Sequence, residues 1–390
     1  MASNFFPQPL HTYSKIGIAH SPVPGRVRRP SWYIDYIRLA WIHMCALTKM
    51  TTGNNPSPTL PPMEPDFVPR RLLRSGHAQT IVGNFLHRAN TLPEPEERLI
   101  PVDDGVSLLC HCHWQPERQR RLTLILVHGL EGSSSSGYVI GTSNRAWAMG
   151  WNVVRMNVRG CGGSAHLSAT LYHSGLSQDI EKLVSTLVAC EKLEKVALVG
   201  FSMGGNQVLR TVGLWGAARP SAVIAAATVS PACDPSITAD HLHKAPGFVY
   251  EWWFLQSLRS SFRRKSGLWP GRYDPAYLKR VHSLRDFDEH ITARYMGFAG
   301  AEDYYNKVAS SHALDKIALP TLVIHADDDP CVVISAESRC KLNENPNVTF
   351  LHTAHGGHCA FLSDARNGDD GRWAERKVVE FLAKVEEANS

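Results

Sequence analysis

The pentapeptide Gly200-Phe201-Ser202-Met203-Gly204 follows directly on the apolar run 195–199. A strand that ends in Gly-x-Ser-x-Gly and turns at once into a helix is a nucleophile elbow. So tight a turn requires small residues two places to either side of the serine, and glycine fills both. The helix expected to follow, over 206–215, directs its positive N-terminal end at the serine. Outside that context the pattern is weak, because Gly and Ser are common in turns. Between a strand and a helix it makes Ser202 a candidate nucleophile.

Size and composition leave room for such a junction. With 390 residues, 43% of them hydrophobic, the chain can bury one large core and still carry an insertion. Its 41 basic and 36 acidic residues give a net charge of +5 spread along the sequence. The basic runs 26–29, 70–71 and 263–265 are short and lack interleaved aromatics on which bases could stack. They read as solvated surface, and no nucleic-acid partner is expected. Nine scattered cysteines form no disulfide framework, so a reducing cytoplasm is the expected location. Cys110-His111-Cys112-His113 alternates two metal-ligand types, but alternation along a strand sends them to opposite faces. No second pair lies at zinc-finger spacing, and neither a metal nor a cofactor is expected.

The chain divides by character. Residues 1–62 read as a weakly ordered extension, with a Pro-, Thr- and Asn-rich linker over 51–62. Within it, 32–47 is apolar and aromatic but interrupted by Asp35, Arg38 and His43, too short and too charged to span a membrane. Peripheral membrane association through 32–47 is the alternative to a purely cytoplasmic protein. A start of translation at Met50 or Met63 is another reading of this extension. From 63 onward strand and helix patterns alternate, as in an α/β fold with a largely parallel sheet. Strands are expected at 97–102, 106–114, 122–127, 151–158, 195–199, 222–229, 321–324 and 347–351, the first two as a hairpin around Asp103-Asp104-Gly105. Helices are expected near 139–149, 177–191, 206–215, 334–342 and 372–386. The core is thus expected over 63–230 and 320–390. The strandless, aromatic interval 231–319 reads as a helical cap over one end of the sheet, or else as a plain helical layer.

A serine hydroxyl needs a base within hydrogen-bond reach, and the base needs an orienting carboxylate. In this architecture they follow the serine in the order acid, then histidine. Asp327-Asp328-Asp329 follows the strand ending at Ala326, and the usual three-residue spacing selects Asp329, with Asp328 second. His352, His355 and His358 leave the last strand. His358 follows Gly356-Gly357, a pair flexible enough to turn back to the serine; His355 is the fallback, and His352 stays in the strand. The oxyanion of a tetrahedral intermediate needs backbone donors. The amide of Met203 is one, and the loop His128-Gly129-Leu130-Glu131-Gly132 offers Leu130 as the other. Neither the serine run 133–136 nor Arg159-Gly160-Cys161-Gly162-Gly163-Ser164 completes a nucleotide-binding pattern.

Together these residues resemble the α/β-hydrolase superfamily. The segments 73–81, 128–134, 159–163, 284–288 and 303–305, with the acid and Gly-Gly-His turns, are similar to its YheT-like group, AB hydrolase family 4. The resemblance covers about 65–385. It implies an eight-stranded, mostly parallel sheet with a helical cap, and a Ser202–Asp329–His358 triad. The implied reaction is cleavage of carboxylic esters, acyl lipids among them, through an acyl-enzyme. Cys359-Ala360-Phe361 departs from the Leu/Val-Gly-Phe of that group and reshapes the pocket wall beside the histidine. Tyr250, Trp252, Trp253 and Phe254 are the expected apolar acyl pocket. The expected partner is a small-molecule ester with an apolar acyl group. An acyltransferase with the same acyl-enzyme, or a non-catalytic binding protein on this fold, are the alternatives.

Overall fold

The computed structural model describes residues 67–365 and 369–389. The expected extension 1–62, with its apolar segment 32–47 and linker 51–62, lies outside the described residues.

Eight strands form one sheet in the order β1-β2-β4-β3-β5-β6-β7-β8. Helix α1 (Gly76–Phe85) precedes the hairpin of β1 (Glu96–Asp103) and β2 (Val106–His113). Next come β3 (Thr123–Val127), α2 (Gly137–Ala148), β4 (Asn152–Met156), α3 (Ser177–Glu191) and β5 (Val196–Phe201). Helix α4 (Met203–Trp215) leads to β6 (Val223–Val229). Antiparallel pairing joins β1 to β2 and β2 to β4; the other strands are parallel. The chain leaves β3 toward β4 on one side and returns to pair β5 on the other, so the strand order reverses at β3. In open α/β sheets such a switch point, at the carboxyl ends of the strands, is where ligands bind.

The middle strands are buried on both faces, which explains their unbroken aliphatic runs. Ile125 and Val127 of β3 pack with Ile180 and Leu183 of α3 and with Val208 and Leu209 of α4. Leu124 and Leu126, one residue out of phase, pack with Val139 of α2 and with Val378 and Leu382 further along the chain. The two-residue period of the strand thus feeds two helical layers from one segment.

Between β6 and β7 (Thr321–Ala326) the described residues form helices and no strand. They include α5 (Pro235–His243), α6 (Phe248–Leu268), the stretch Leu284–Phe287 that continues through a π turn, and α7 (Ala301–Val308). Their apolar faces, among them Leu242, Leu258, Phe262 and Phe287, cluster with Cys331 and Val332 from the loop after β7. Helix α8 (Ala336–Glu344), β8 (Val348–Thr353) and α9 (Trp373–Ala388) complete the chain. No helix among the described residues is long and apolar enough to cross a membrane.

Helix α1 was not among the expected helices, and α4 begins at Met203 rather than 206. The run 263–265 is not all solvated surface either, because Lys265 is only 5% exposed. Cys110 and Cys112 both face the core, whereas His111 meets Ser134 and His113 meets Arg155 on the other face.

Candidate active site

Ser202 occupies the single residue between β5 and α4, with φ 54° and ψ −120°. That conformation is costly for a residue with a Cβ, by about 1–3 kcal/mol, and survives only where packing over-determines it. Here the packing is a close approach of backbones. A Cβ on Gly204 would stand 2.4 Å from the Val127 carbonyl oxygen and 2.5 Å from that of His128. One on Gly200 would stand 2.4 Å from the Gly204 carbonyl oxygen. The two glycines of the pentapeptide therefore let the first turn of α4 press against the end of β3. Other non-glycine residues with positive φ gather at the same place, Glu131, Ser230, Cys359 and Phe361 among them.

The loops after β7 and β8 bring acids and histidines together in three successive pairs. Asp327 meets His352 at 2.5 Å, Asp328 meets His355 at 3.1 Å, and Asp329 meets His358 Nδ1 at 2.9 Å. Of these histidines, His358 reaches the elbow, with Nε2 2.9 Å from Ser202 Oγ. Asp328 instead accepts the Gly357 amide at 2.9 Å and so holds the turn that aims His358. His352 remains in β8, as its place in the sequence indicates.

Electrostatics separates Asp329 from its neighbours. Its side chain is buried, and Oδ1 accepts the amides of Cys331 at 2.8 Å and Val332 at 2.9 Å. Burial alone would raise its carboxyl, but His358 and these donors hold it below the ordinary carboxylate value. For His358, burial pulls downward and the Asp329 carboxylate overcomes it, holding the imidazole well above its ordinary value. Asp329, Cys331 and His358 present ligand-type atoms within 4.8 Å of one another. They suit a metal poorly, since both His358 nitrogens face other partners and burial pushes the Cys331 thiol up to about 12.

The loop after β3 lies directly against the elbow: a Cβ on Gly129 would stand 3.0 Å from the Ser202 Cβ. Within it, the Gly129 amide donates to Tyr138 Oη, that of Glu131 to Tyr172 Oη, and that of Gly132 to the Gly129 carbonyl. Leu130 has no acceptor for its amide among the described residues. Met203 opens α4, where a first-turn amide has no partner inside its own helix. His128 is structural. Burial lowers its pKa to about 4, and the neutral ring accepts from the Val158 amide while Nδ1 meets the Gly129 carbonyl.

Helix α1, which overlaps the resemblance segment 73–81, supports the site in a way not expected from its residues. His358 donates its amide to Thr80 Oγ1 at 2.8 Å, and Gln79 bonds the Leu73 and Leu362 carbonyls and the Leu362 amide. His77 meets Tyr250 Oη of α6 at 2.9 Å. A cavity of about 430 Å³ opens on Ser202, Met203 and His358 and is walled by apolar residues such as Leu130, Leu171, Phe254, Leu258 and Val332. Trp252 and Trp253 do not line it; they are 58% and 56% exposed on the outer side of α6. Tyr250 does not line it either, so of the four aromatics expected in the acyl pocket only Phe254 does.

A model of the alpha/beta hydrolase fold matches residues 123–365. The chain belongs to the α/β-hydrolase family. Within it the chain falls in the YheT-like group. It is 33% identical over 335 residues to "Putative esterase YheT" of Escherichia coli (strain K12), covering 83% of this chain and 95% of that protein. Phospholipase ABHD3 of Homo sapiens is 27% identical over 298 residues, covering 74% of this chain and 71% of its own. A solved structure, that of the 2,6-dihydroxy-pseudo-oxynicotine hydrolase, aligns with a TM-score of 0.51 at 15% identity, over 79% of this chain and 71% of that one. That last likeness is one of fold.

The close approach at Gly204 yields a direct test. Gly204→Ala should destabilise the protein by about 1–3 kcal/mol in urea unfolding, because backbone oxygens cannot yield to a methyl group. Gly267→Ala, in α6 with nothing within 4 Å of the added Cβ, should be neutral or stabilising by about 0.4–1 kcal/mol. Equal effects at the two sites would mean that the elbow does not depend on this contact.

Proposed function

We propose that the protein is a serine hydrolase of carboxylic esters. In this reading Ser202 is the nucleophile, His358 the general base and acid, and Asp329 the orienting carboxylate. The observation that carries it is the continuous chain of contacts from Ser202 Oγ through both His358 nitrogens to a buried Asp329. Ser202 Oγ adds to the ester carbonyl as its proton passes to His358 Nε2. The Leu130 and Met203 amides, neither engaged by another group among the described residues, receive the oxyanion; losing one such donor typically costs about 10²–10³ in rate. Collapse of the tetrahedral intermediate breaks the C–O bond, and His358 returns the proton to the departing alcohol. Water then adds to the acyl-enzyme by the same route, releasing the acid and restoring Ser202.

The apolar walls of the cavity support an ester with an apolar acyl group, and a relative named as a phospholipase agrees with acyl lipids as the class. The helices of 231–319 act as the cap that shapes this cavity, between core segments 63–230 and 320–390.

A fluorophosphonate probe should label the wild type and not Ser202→Ala, and that variant should lose about 10⁴-fold or more of the ester hydrolysis. Labelling of both to the same extent would sink the assignment. Activity across p-nitrophenyl esters should peak beyond acetate; a maximum at acetate would refute the apolar acyl preference. The base works only as neutral imidazole, and Asp329 raises its pKa. Thus kcat/KM should rise with pH through an apparent pKa above the 6.5 of a free imidazole. In Asp329→Asn the residual activity should rise at lower pH. A limb that stays in place would show that Asp329 does not set it.

A further inference from the structure

The cavity that meets Ser202 has a cationic region. Lys265, in the last turn of α6, lines it together with Gly160, Cys161 and Ala165. Its ammonium donates to the carbonyls of Ala165, at 3.3 Å, and Ser168. Those carbonyls and the C-terminal end of α6 supply partial negative charge. No carboxylate among the described residues forms an ion pair with it. An ammonium has three donors, so one is left over.

The neighbouring charges do not make up the deficit. Burial lowers the Lys265 pKa to about 8, and Arg272 and Arg159 press it the same way against the Cys161 thiol. Arg159 has its own counter-charges, Asp179 at 2.6 Å and Asp103 at 3.4 Å. Two acids on the cavity wall are engaged elsewhere. Glu131 accepts from Tyr172 Oη at 2.6 Å and Ser261 Oγ at 2.5 Å, and Asp288 from Tyr305 Oη at 2.7 Å and Thr292 Oγ1 at 2.8 Å. Arg264 lines the same cavity and adds to the positive side. Gly160, at φ 75°, keeps the approach open, since a Cβ there would stand 3.4 Å from the Lys265 Nζ. A buried charge without a counter-charge is unfavourable, and a bound anion would offset that.

We propose that this region is an anion subsite, in which Lys265 receives a carboxylate or phosphate group carried by the ester that Ser202 attacks. The inference rests on the serine-hydrolase reading above and narrows its substrates to esters with an anionic group. Two matched pairs of esters test it by the ratio of kcat/KM for the charged member to that for the neutral one. The first pair is the p-nitrophenyl half-ester of a dicarboxylic acid against the p-nitrophenyl ester of the monocarboxylic acid of equal length. The second is a lysophosphatidate against the monoacylglycerol with the same acyl chain. The first carries its charge on the acyl side and the second on the alcohol side, so the pair that responds identifies the source.

Wild type should prefer the charged member of one pair by about tenfold or more, the scale of a hydrogen bond to a charged group. Lys265→Met should bring that ratio toward one, and Lys265→Arg should keep most of it. Lys265 acting only as a brace for the 165–168 loop would slow both members alike and leave the ratio unchanged, which overturns the proposal. So would wild-type ratios near one in both pairs, a result that needs no variant to fold. Loss of the serine mechanism itself would appear separately, as hydrolysis and probe labelling that persist in Ser202→Ala.

Discussion

The approach of α4 to the end of β3 is the contact on which the rest of the site depends. Two backbones come so near at Gly204 that no side chain fits between them, and this closeness holds Ser202 in a conformation it would not otherwise adopt. The loop carrying Leu130 then lies against the serine because it leaves the same β3 end. The strained residues Glu131, Ser230 and Cys359 lie in the loops that meet this junction. Local strain here is sustained by the burial of β3 and β5 on both faces, where the large helical layers supply the opposing free energy.

Burial of Asp329 joins the Ser202–His358–Asp329 chain of contacts to the helices between β6 and β7. Its carboxylate is held by the amides of Cys331 and Val332, and the side chains of those two residues pack into the cluster formed by Leu242, Leu258 and Phe262. One short segment therefore fixes the acid with its backbone and anchors the overlying helices with its side chains. Glu131 makes a parallel link, because its carboxylate bonds both Tyr172 and Ser261 of α6 beside the Leu130 amide. The cavity wall and the reacting centre are mechanically the same structure.

Much of this was legible in the sequence, for identifiable reasons. Continuous aliphatic runs bounded by polar residues mark strands buried on both faces, and all eight fall where such runs or alternations occur. The order serine, acid, histidine, with Gly-Gly before His358, pointed first to Asp329 and His358, the acid and histidine that the structure brings to Ser202. Helix α1 was not legible. It has two glycines, no acidic residue in its first turn, no basic residue in its last, and no side-chain cap. It is a helix because Gly76 and Gln79 are packed against the two loops that it supports. The early start of α4 escaped notice for the same reason, as Gly204-Gly205 has poor helix propensity and is held by its contacts. Aromatic density in α6 pointed to a pocket without saying which face met it, and Trp252 and Trp253 turned out to face away.

The three acid–histidine pairs after β7 and β8 carry a consequence for how these turns can change. Consecutive aspartates meet histidines spaced three apart, so each pair constrains where the next one falls. A deletion of one residue between His352 and His355 would put the second and third couples out of step at once, whereas a substitution at one of them disturbs only its own. The first two couples work as a gauge that sets the length of both turns, and the third is delivered to the serine as the remainder. Chain length, more than composition, is what this end of the sheet cannot alter.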